Sequence, residues 1–264
     1  LPEVQFYRDP DLPFFELKLC AGSDIAYKKH THEEYSLAFI DSGRTLLWHA
    51  GKLSEVGAGS SVFISPGLVH SCNPLSIADW HYRMLYIEAA WMRGFFRGRA
   101  AGGFRRPVVR DVAAGGLEYL LASLRGPASP LEKEANLCAI IERAVGGAKP
   151  AAASGNCREP AGLSRACDYL HAHFAEKITL DQLARVAGLS RFRLLRSFKD
   201  TYTIPPHTYQ TLLRVNHAKK RLRAGIDIAE VALAAGFYDQ SHFSKVFKSH
   251  TGVSPEKYRQ ILFS

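Results

Sequence analysis

The sequence predicts a multidomain α+β protein, with a β-barrel or sandwich and following helices in its N-terminal part and an all-α C-terminal domain. Three observations carry this. The 264 residues fit two domains of about 100–200 residues each. Short runs rich in branched and aromatic residues occupy roughly the first 90 positions, and helical spacing takes over afterwards. The last stretch of about a hundred residues contains an internal repeat. Hydrophobic residues are 47% and charged residues 22%, enough apolar material for a core in each part, so whole-chain disorder is excluded.

Strand texture is clearest in Tyr35-Ser36-Leu37-Ala38-Phe39-Ile40, Thr45-Leu46-Leu47-Trp48 and Ser61-Val62-Phe63-Ile64. Turn signals punctuate these runs at Asp41-Ser42-Gly43, Gly57-Ala58-Gly59 and Pro66-Gly67. From about residue 90 to 147 the texture is helical. Leu117, Leu120, Leu121 and Leu124 form one stripe, and Leu137, Ile140, Ile141 and Val145 a second, separated by Gly126-Pro127. Such a pair either completes the core or presents an apolar face to a second copy. The segment from Gly146 to Gly155 has only small residues with one Lys and one Pro, which reads as a linker. The expected boundaries are 1–147, a linker at 148–160, and 161–264.

No apolar run approaches the roughly 20 residues of a membrane helix. Leu1-Pro2-Glu3 lacks the layout of a signal peptide, so a cytoplasmic protein is expected, with no membrane partner. Five scattered cysteines without a C-x-x-C pair argue against a disulfide framework or a zinc ribbon. Nucleophile-elbow, P-loop and dinucleotide fingerprints are absent.

The net charge of +9 is concentrated. Residues 161–264 hold 16 Lys and Arg against 8 Asp and Glu, whereas residues 1–160 are nearly balanced. A basic module of this kind gains affinity for polyanions by displacing counterions from phosphates.

The repeat refines that reading. Leu183-Ala184-x-x-Ala187-Gly188 matches Val231-Ala232-x-x-Ala235-Gly236 at an offset of 48. Phe198-Lys199, Pro206 and Tyr209 match Phe247-Lys248, Pro255 and Tyr258 at an offset of 49, so the second copy carries one inserted residue. Each copy reads as helix, tight turn, helix. Thr179-x-x-Gln182 and Asp227-x-x-Glu230 are expected to be capping boxes. Gly188 and Gly236 are expected to end the first helix with positive φ. Phe192, Leu195 and Phe198, and in the second copy Phe243 and Phe247, are expected on the buried face. Arg191, Arg193 and Arg196, and then Gln240, Ser241, Ser244 and Lys245, remain outside. Good helix formers run from Pro205-Pro206 to Gly225. A helix of about 20 residues spans roughly 30 Å. That is close to the roughly 34 Å between successive major-groove faces on one side of B-DNA.

Residues of about 165–262 closely resemble the DNA-binding domain of AraC/XylS-type transcriptional regulators. The resemblance lies in the first motif (Leu183 to Ser190), in Arg214 with Ala218 and Leu222, and in the second motif from Ile228 to Lys248 followed by Gly252-Val253-Ser254-Pro255-x-x-Tyr258-Arg259. It implies a double helix-turn-helix domain contacting double-stranded DNA through Arg191, Phe192, Leu195, Arg196, Gln240, Ser241, Ser244 and Lys245. Leu195 stands where a polar reader could stand, so the first helix is expected to rely on Arg196 and on apolar contact with thymine methyls. The resemblance also implies an activator, a homodimer and contact with RNA polymerase.

The N-terminal part resembles, more loosely, the cupin-type ligand-binding barrel of the same family. His30-x-His32 precedes Gly43, and Gly59 precedes Pro66-Gly67-x-x-His70-x-x-Asn73. In metal cupins three His and one Glu hold the ion. Here Ser36 and Leu37 stand where that Glu is expected, so no metal and no cofactor is expected. The candidate small-molecule pocket comprises His30, His32, Glu34, Trp48, His70, Trp80 and Tyr82. Glu34 would suit an effector with a cationic group, such as an amino acid or amine. Two other functions compete: a constitutive DNA-binding protein whose barrel only dimerises, and a metal-dependent cupin enzyme. The expectation is a non-enzyme.

Overall fold

The structure is a computed structural model and describes residues 3–22, 29–96, 104, 107–111, 115–146 and 161–260. The expected linker at 148–160 lies outside the described residues. The chain divides into two compact units, residues 1–27 with 31–153 and residues 28–30 with 154–264. No helix among the described residues is long and apolar enough to cross a membrane. Cys20, Cys72, Cys138 and Cys167 take part in no disulfide among the described residues.

The first unit contains β1 (Glu3–Tyr7), β2 (Phe15–Ala21), β3 (Tyr35–Ser42), β4 (Arg44–His49), β5 (Lys52–Gly57), β6 (Ser60–Ile64), β7 (His70–Pro74), β8 (His81–Ile87), α1 (Ala89–Phe95), β9 (Val108–Asp111), α2 (Gly115–Arg125) and α3 (Pro130–Val145). The expected closed barrel is corrected: the strands form two open sheets. The larger has the order β1-β2-β8-β3-β6-β9 and the smaller the order β5-β4-β7. The short strand β9, within the stretch expected to be helical, pairs with β6.

The large sheet buries two unlike faces, because strand side chains alternate. Phe15, Leu17, Tyr35, Leu37, Phe39, Phe63, Leu85 and Ile87 share one core cluster with Leu117, Leu120, Leu121, Leu124, Leu137, Ile140, Ile141 and Val145. Both helical stripes are therefore core, and neither is left as a face for a second copy. The other sheet face carries Glu16, Lys18, Cys20, Ser36, Ala38, Ile40, Tyr82 and Tyr86 in register across β2, β8 and β3. It is buried as well. The N-terminal residues are tied down: β1 pairs with β2, Tyr7 Oη donates to the Leu124 carbonyl at 2.7 Å, and Lys133 of α3 pairs with Asp9 and Asp11.

The second unit is all helix: α4 (Ala161–Ala172), α5 (Leu180–Ala187), α6 (Arg191–Tyr202), α7 (Pro206–Arg223), α8 (Ile228–Ala234), α9 (Gln240–Thr251) and α10 (Pro255–Gln260). Thr179 and Gln182 form the expected capping box of α5. The second expected box is corrected. Asp227 accepts from Ala229 N–H at 2.8 Å, while Glu230 pairs with Arg221 at 2.5 Å. A charge-assisted bond to a guanidinium displaces the weaker reach back to a backbone N–H.

Gly188 and Gly236 adopt positive φ, +67° and +77°. Their surroundings differ. A Cβ on Gly188 would meet the flexible end of Arg165 at 3.2 Å, but one on Gly236 would meet the Ala175 carbonyl oxygen at 2.0 Å. Arg214 and Gln210 of α7 donate to the same turn, at the carbonyls of Phe174 and Glu176. Both substitutions Gly188→Ala and Gly236→Ala strain the backbone, by more than about 1 kcal/mol. Gly236→Ala is expected to lower the thermal midpoint of the second unit clearly further, because backbone cannot yield as an arginine tip can. Equal losses in calorimetry would show that the approach to Ala175 carries no weight.

Candidate functional site

The predicted DNA-contact residues lie in the second unit, and all the predicted pocket residues but His30 lie in the first. In the second unit α5–α6 and α8–α9 repeat the same plan. Ser190 caps α6 by accepting from Arg193 N–H, and Asp239 caps α9 by accepting from His242 N–H at 2.7 Å. Leu194 and Phe198 are the buried residues of α6, and Phe243 and Phe247 those of α9. Each pair is four residues apart on one helix face. Small residues Ala184, Ala187, Ala232 and Ala235 are buried where the helices close on each other.

This corrects the expected buried face of α6. Phe192 is 85% exposed and Leu195 37% exposed. A helix turns about 100° per residue, so Phe192 stands nearly opposite Leu194 and cannot share its contact. The outward surface of α6 thus holds Arg191, Phe192, Arg193, Leu195 and Arg196. That of α9 holds Gln240, Ser241 and Lys245, with Ser244 half-buried. Arg191 faces Asp181 at 3.2 Å and Arg196 faces Asp200 at 3.9 Å. Exposed pairs of this kind are weak and exchange readily for another anion. Between the modules, α7 has 18 residues and a length of about 27 Å, with Pro206 in its first turn.

In the first unit the predicted pocket residues divide. His32 and His70 converge, their ring centroids 5.0 Å apart, while His30 belongs to the short stretch that groups with the second unit. The His32 ring also meets Tyr86, centroid to centroid 5.1 Å. His70 Nδ1 faces the Leu68 carbonyl at 2.9 Å, which fixes its ring. Burial pushes the His70 pKa down to about 4, so its imidazole is neutral at physiological pH. Imidazole nitrogens of this kind suit a polar ligand group or a metal, but among the described residues no carboxylate joins them. Trp80 and Tyr82 form a second group, centroids 5.2 Å apart. Tyr82 and Tyr86 are four residues apart on β8, about 13 Å. Trp48 is paired with Leu53 and Ser71, on the face of the small sheet opposite that of Leu47, Cys72 and His70. Glu34 is half-buried just ahead of β3, in phase with Ser36.

Sequence reasoning missed the residues between those groups. Glu16 and Lys18 are both 2% exposed on the polar face of β2, opposite Tyr86 and Met84 of β8. Glu16 pairs with Arg8, and the Lys18 ammonium lies between the rings of Phe6 and Tyr82, at 5.7 and 5.8 Å. The alternation Phe15-Glu16-Leu17-Lys18-Leu19 was the available signal, but it ordinarily means a face turned to water.

Comparison with known proteins matches a family model to each part of the chain. A family model described as an AraC-like ligand binding domain matches residues 21–154, just over half of the chain, and a helix-turn-helix domain model matches residues 183–261. YbfI, an uncharacterized HTH-type transcriptional regulator of Bacillus subtilis, is 27% identical over 222 residues, covering 82% of this chain and 81% of that protein. The HTH-type transcriptional regulator MtrA of Neisseria gonorrhoeae is 35% identical over 82 residues, 31% of this chain and 27% of that protein. The fold is similar to that of ToxT from Vibrio cholerae, with a TM-score of 0.61 and 14% identity over 98% of this chain and 100% of that one. The chain belongs to the AraC family of transcriptional regulators, DNA-binding proteins with a ligand-binding domain rather than enzymes.

Proposed function

We propose that this protein is a ligand-responsive, sequence-specific regulator in which each chain reads two adjacent major-groove segments. The observation that carries this is the pair of repeat-related helices, α6 and α9, each buried on one side and exposing contact residues on the other, joined by the single helix α7. Arg191, Phe192, Leu195 and Arg196 would meet the first segment, and Gln240, Ser241, Ser244 and Lys245 the second. The two readouts differ in chemistry. The first combines guanidinium bonding to base edges with apolar contact to thymine methyls, and the second uses amide, hydroxyl and ammonium groups.

The effector site of this reading lies in the first unit, from His32 and His70 through Glu16 and Lys18 to Tyr82 and Trp80. It carries groups of both signs, which suits an amino acid or an amine. A ToxT structure is described with an unsaturated fatty acid bound, so carboxylic acids belong among the compounds tested. An activator role, a homodimer and RNA polymerase as partner belong to this proposal by analogy with the family. Since both helical stripes are buried, a dimer must use other residues, and Tyr119 and Leu131 are the large apolar groups that α2 and α3 leave exposed.

The test is a titration of the full chain against DNA from its own upstream region, at fixed salt, with a panel of amino acids, amines and carboxylic acids. Selective binding that one compound shifts supports the reading. Selective binding that none of them shifts favours a constitutive regulator. Arg196→Ala is expected to cost about 1–3 kcal/mol on the selected site and to relax preference there. An equal loss on random DNA would make Arg196 a phosphate contact. Replacing thymine by deoxyuracil in the first segment removes methyl groups and is expected to weaken binding roughly fourfold per contacted methyl, from about 0.8 kcal/mol each. The same replacement in the second segment should change little, and equal sensitivity of both would refute the assignment of Phe192 and Leu195.

A further inference from the structure

The two modules differ by one residue, and the turn leaves that residue outside. Between Gly188 and the cap Ser190 stands Leu189 alone, whereas between Gly236 and the cap Asp239 stand Phe237 and Tyr238. Leu189 N–H donates to the Ala184 carbonyl and Phe237 N–H to the Ala232 carbonyl, both at 3.0 Å. Phe237 therefore takes the place of Leu189, and Tyr238 is the insertion.

Nothing in the turn can take it inward. Gly236 is held against Ala175, as its close approach shows. Phe237 is buried against Phe243, centroids 5.1 Å apart, with the Arg214 guanidinium 5.8 Å from its ring. Asp239 is fixed by its bond to His242 N–H. Tyr238 is left 94% exposed, more than any other large apolar or aromatic side chain exposed among the described residues.

The chemistry of the second module says what such a phenol would meet. The first turn of α6 brings Arg191 and Arg193 behind a neutral serine cap, but the first turn of α9 brings Gln240, Ser241 and His242 behind an anionic aspartate. The N-terminal end of a recognition helix lies deepest in the groove, so residues just ahead of it run beside the sugar-phosphate wall. A carboxylate there repels phosphate, and a neutral hydroxyl one residue away does not. We propose that Tyr238 is a positioning residue for the second module, its hydroxyl donating to a phosphate oxygen at the edge of the groove that α9 enters. Tyrosine hydroxyls are among the groups that make such contacts. This rests on α9 being the helix that enters the groove.

The test uses Tyr238→Phe and Tyr238→Ala in the full chain, on the selected duplex and on a random duplex, over a range of salt. Both variants are expected to lose about tenfold on both duplexes. The salt slope should stay unchanged, because a neutral donor releases no counterion. Leu233→Ala, another exposed apolar side chain of this module, should bind as the parent does. Parental affinity for Tyr238→Phe would overturn the hydroxyl contact. A loss confined to the selected duplex would overturn the positioning role in favour of base reading. Failure of the parent protein to bind any duplex would instead sink the DNA-contact reading itself.

Discussion

The DNA-binding unit depends on how one helix end is satisfied. Where α4 stops, the carbonyls of Phe174, Ala175 and Glu176 point away without helical partners. Arg214 and Gln210, one turn apart on α7, donate to them. The guanidinium also complements the negative end of the α4 dipole. Burial lowers the Arg214 pKa, yet a guanidinium stays charged at any physiological pH, so the clamp does not titrate away. The second module then closes onto the same turn through Gly236 and Phe237. One cluster of three carbonyls thus connects α4 of the first module, the connecting helix and the turn of the second. The separation of α6 and α9 is a consequence, because α7 is fixed at Gln210 and Arg214 and the second module is pressed against the residues that fix it.

The first module uses a related device at its own turn. Arg165 of α4 donates to the carbonyls of Val186 and Ala187 at the end of α5. A Cβ on Gly162 would strike the Ala187 oxygen at 2.3 Å, so α4 and α5 pack at backbone distance. Arginine on helix C-termini and glycine at close approaches recur in both modules. They leave the outward faces of α6 and α9 free of structural duty, and this is why those faces can differ so much in chemistry while the buried pairs Leu194–Phe198 and Phe243–Phe247 correspond.

How much of this was legible in the chain depended on whether the signal was local. Capping at Thr179, the positive φ of Gly188 and Gly236 and the long helix after Pro205 are dictated by neighbours in sequence, and each was readable. The inside of α6 was not, because Phe192, Leu194, Leu195 and Phe198 offer more apolar residues than one face can bury; only the packing against α4 and α5 selects Leu194. The barrel was over-read for a similar reason. Short strands and turns predict sheets, but closure is a matter of tilt and shear, which alternation does not encode. Glu16 and Lys18 show the limit most sharply. Their alternation with Phe15, Leu17 and Leu19 is the ordinary mark of a wet face, and only the burial of both sides of the sheet turns it into an interior.

That interior constrains how a ligand could act. Burying a charged group without compensation is costly, so Glu16 and Lys18 are retained only with partners such as Arg8 and the rings of Phe6 and Tyr82. A polar ligand entering here would exchange one set of partners for another rather than fill an empty apolar space. Net affinity then depends on small differences between large opposing terms, which favours selectivity over strength: a compound lacking one matched group would leave a buried charge or imidazole short of a partner. The same sensitivity is what regulation requires. A ligand shifts an equilibrium only by its differential affinity for two states, and a polar interior whose bonding changes with geometry supplies a larger difference than an apolar cavity that accepts any shape of the right volume.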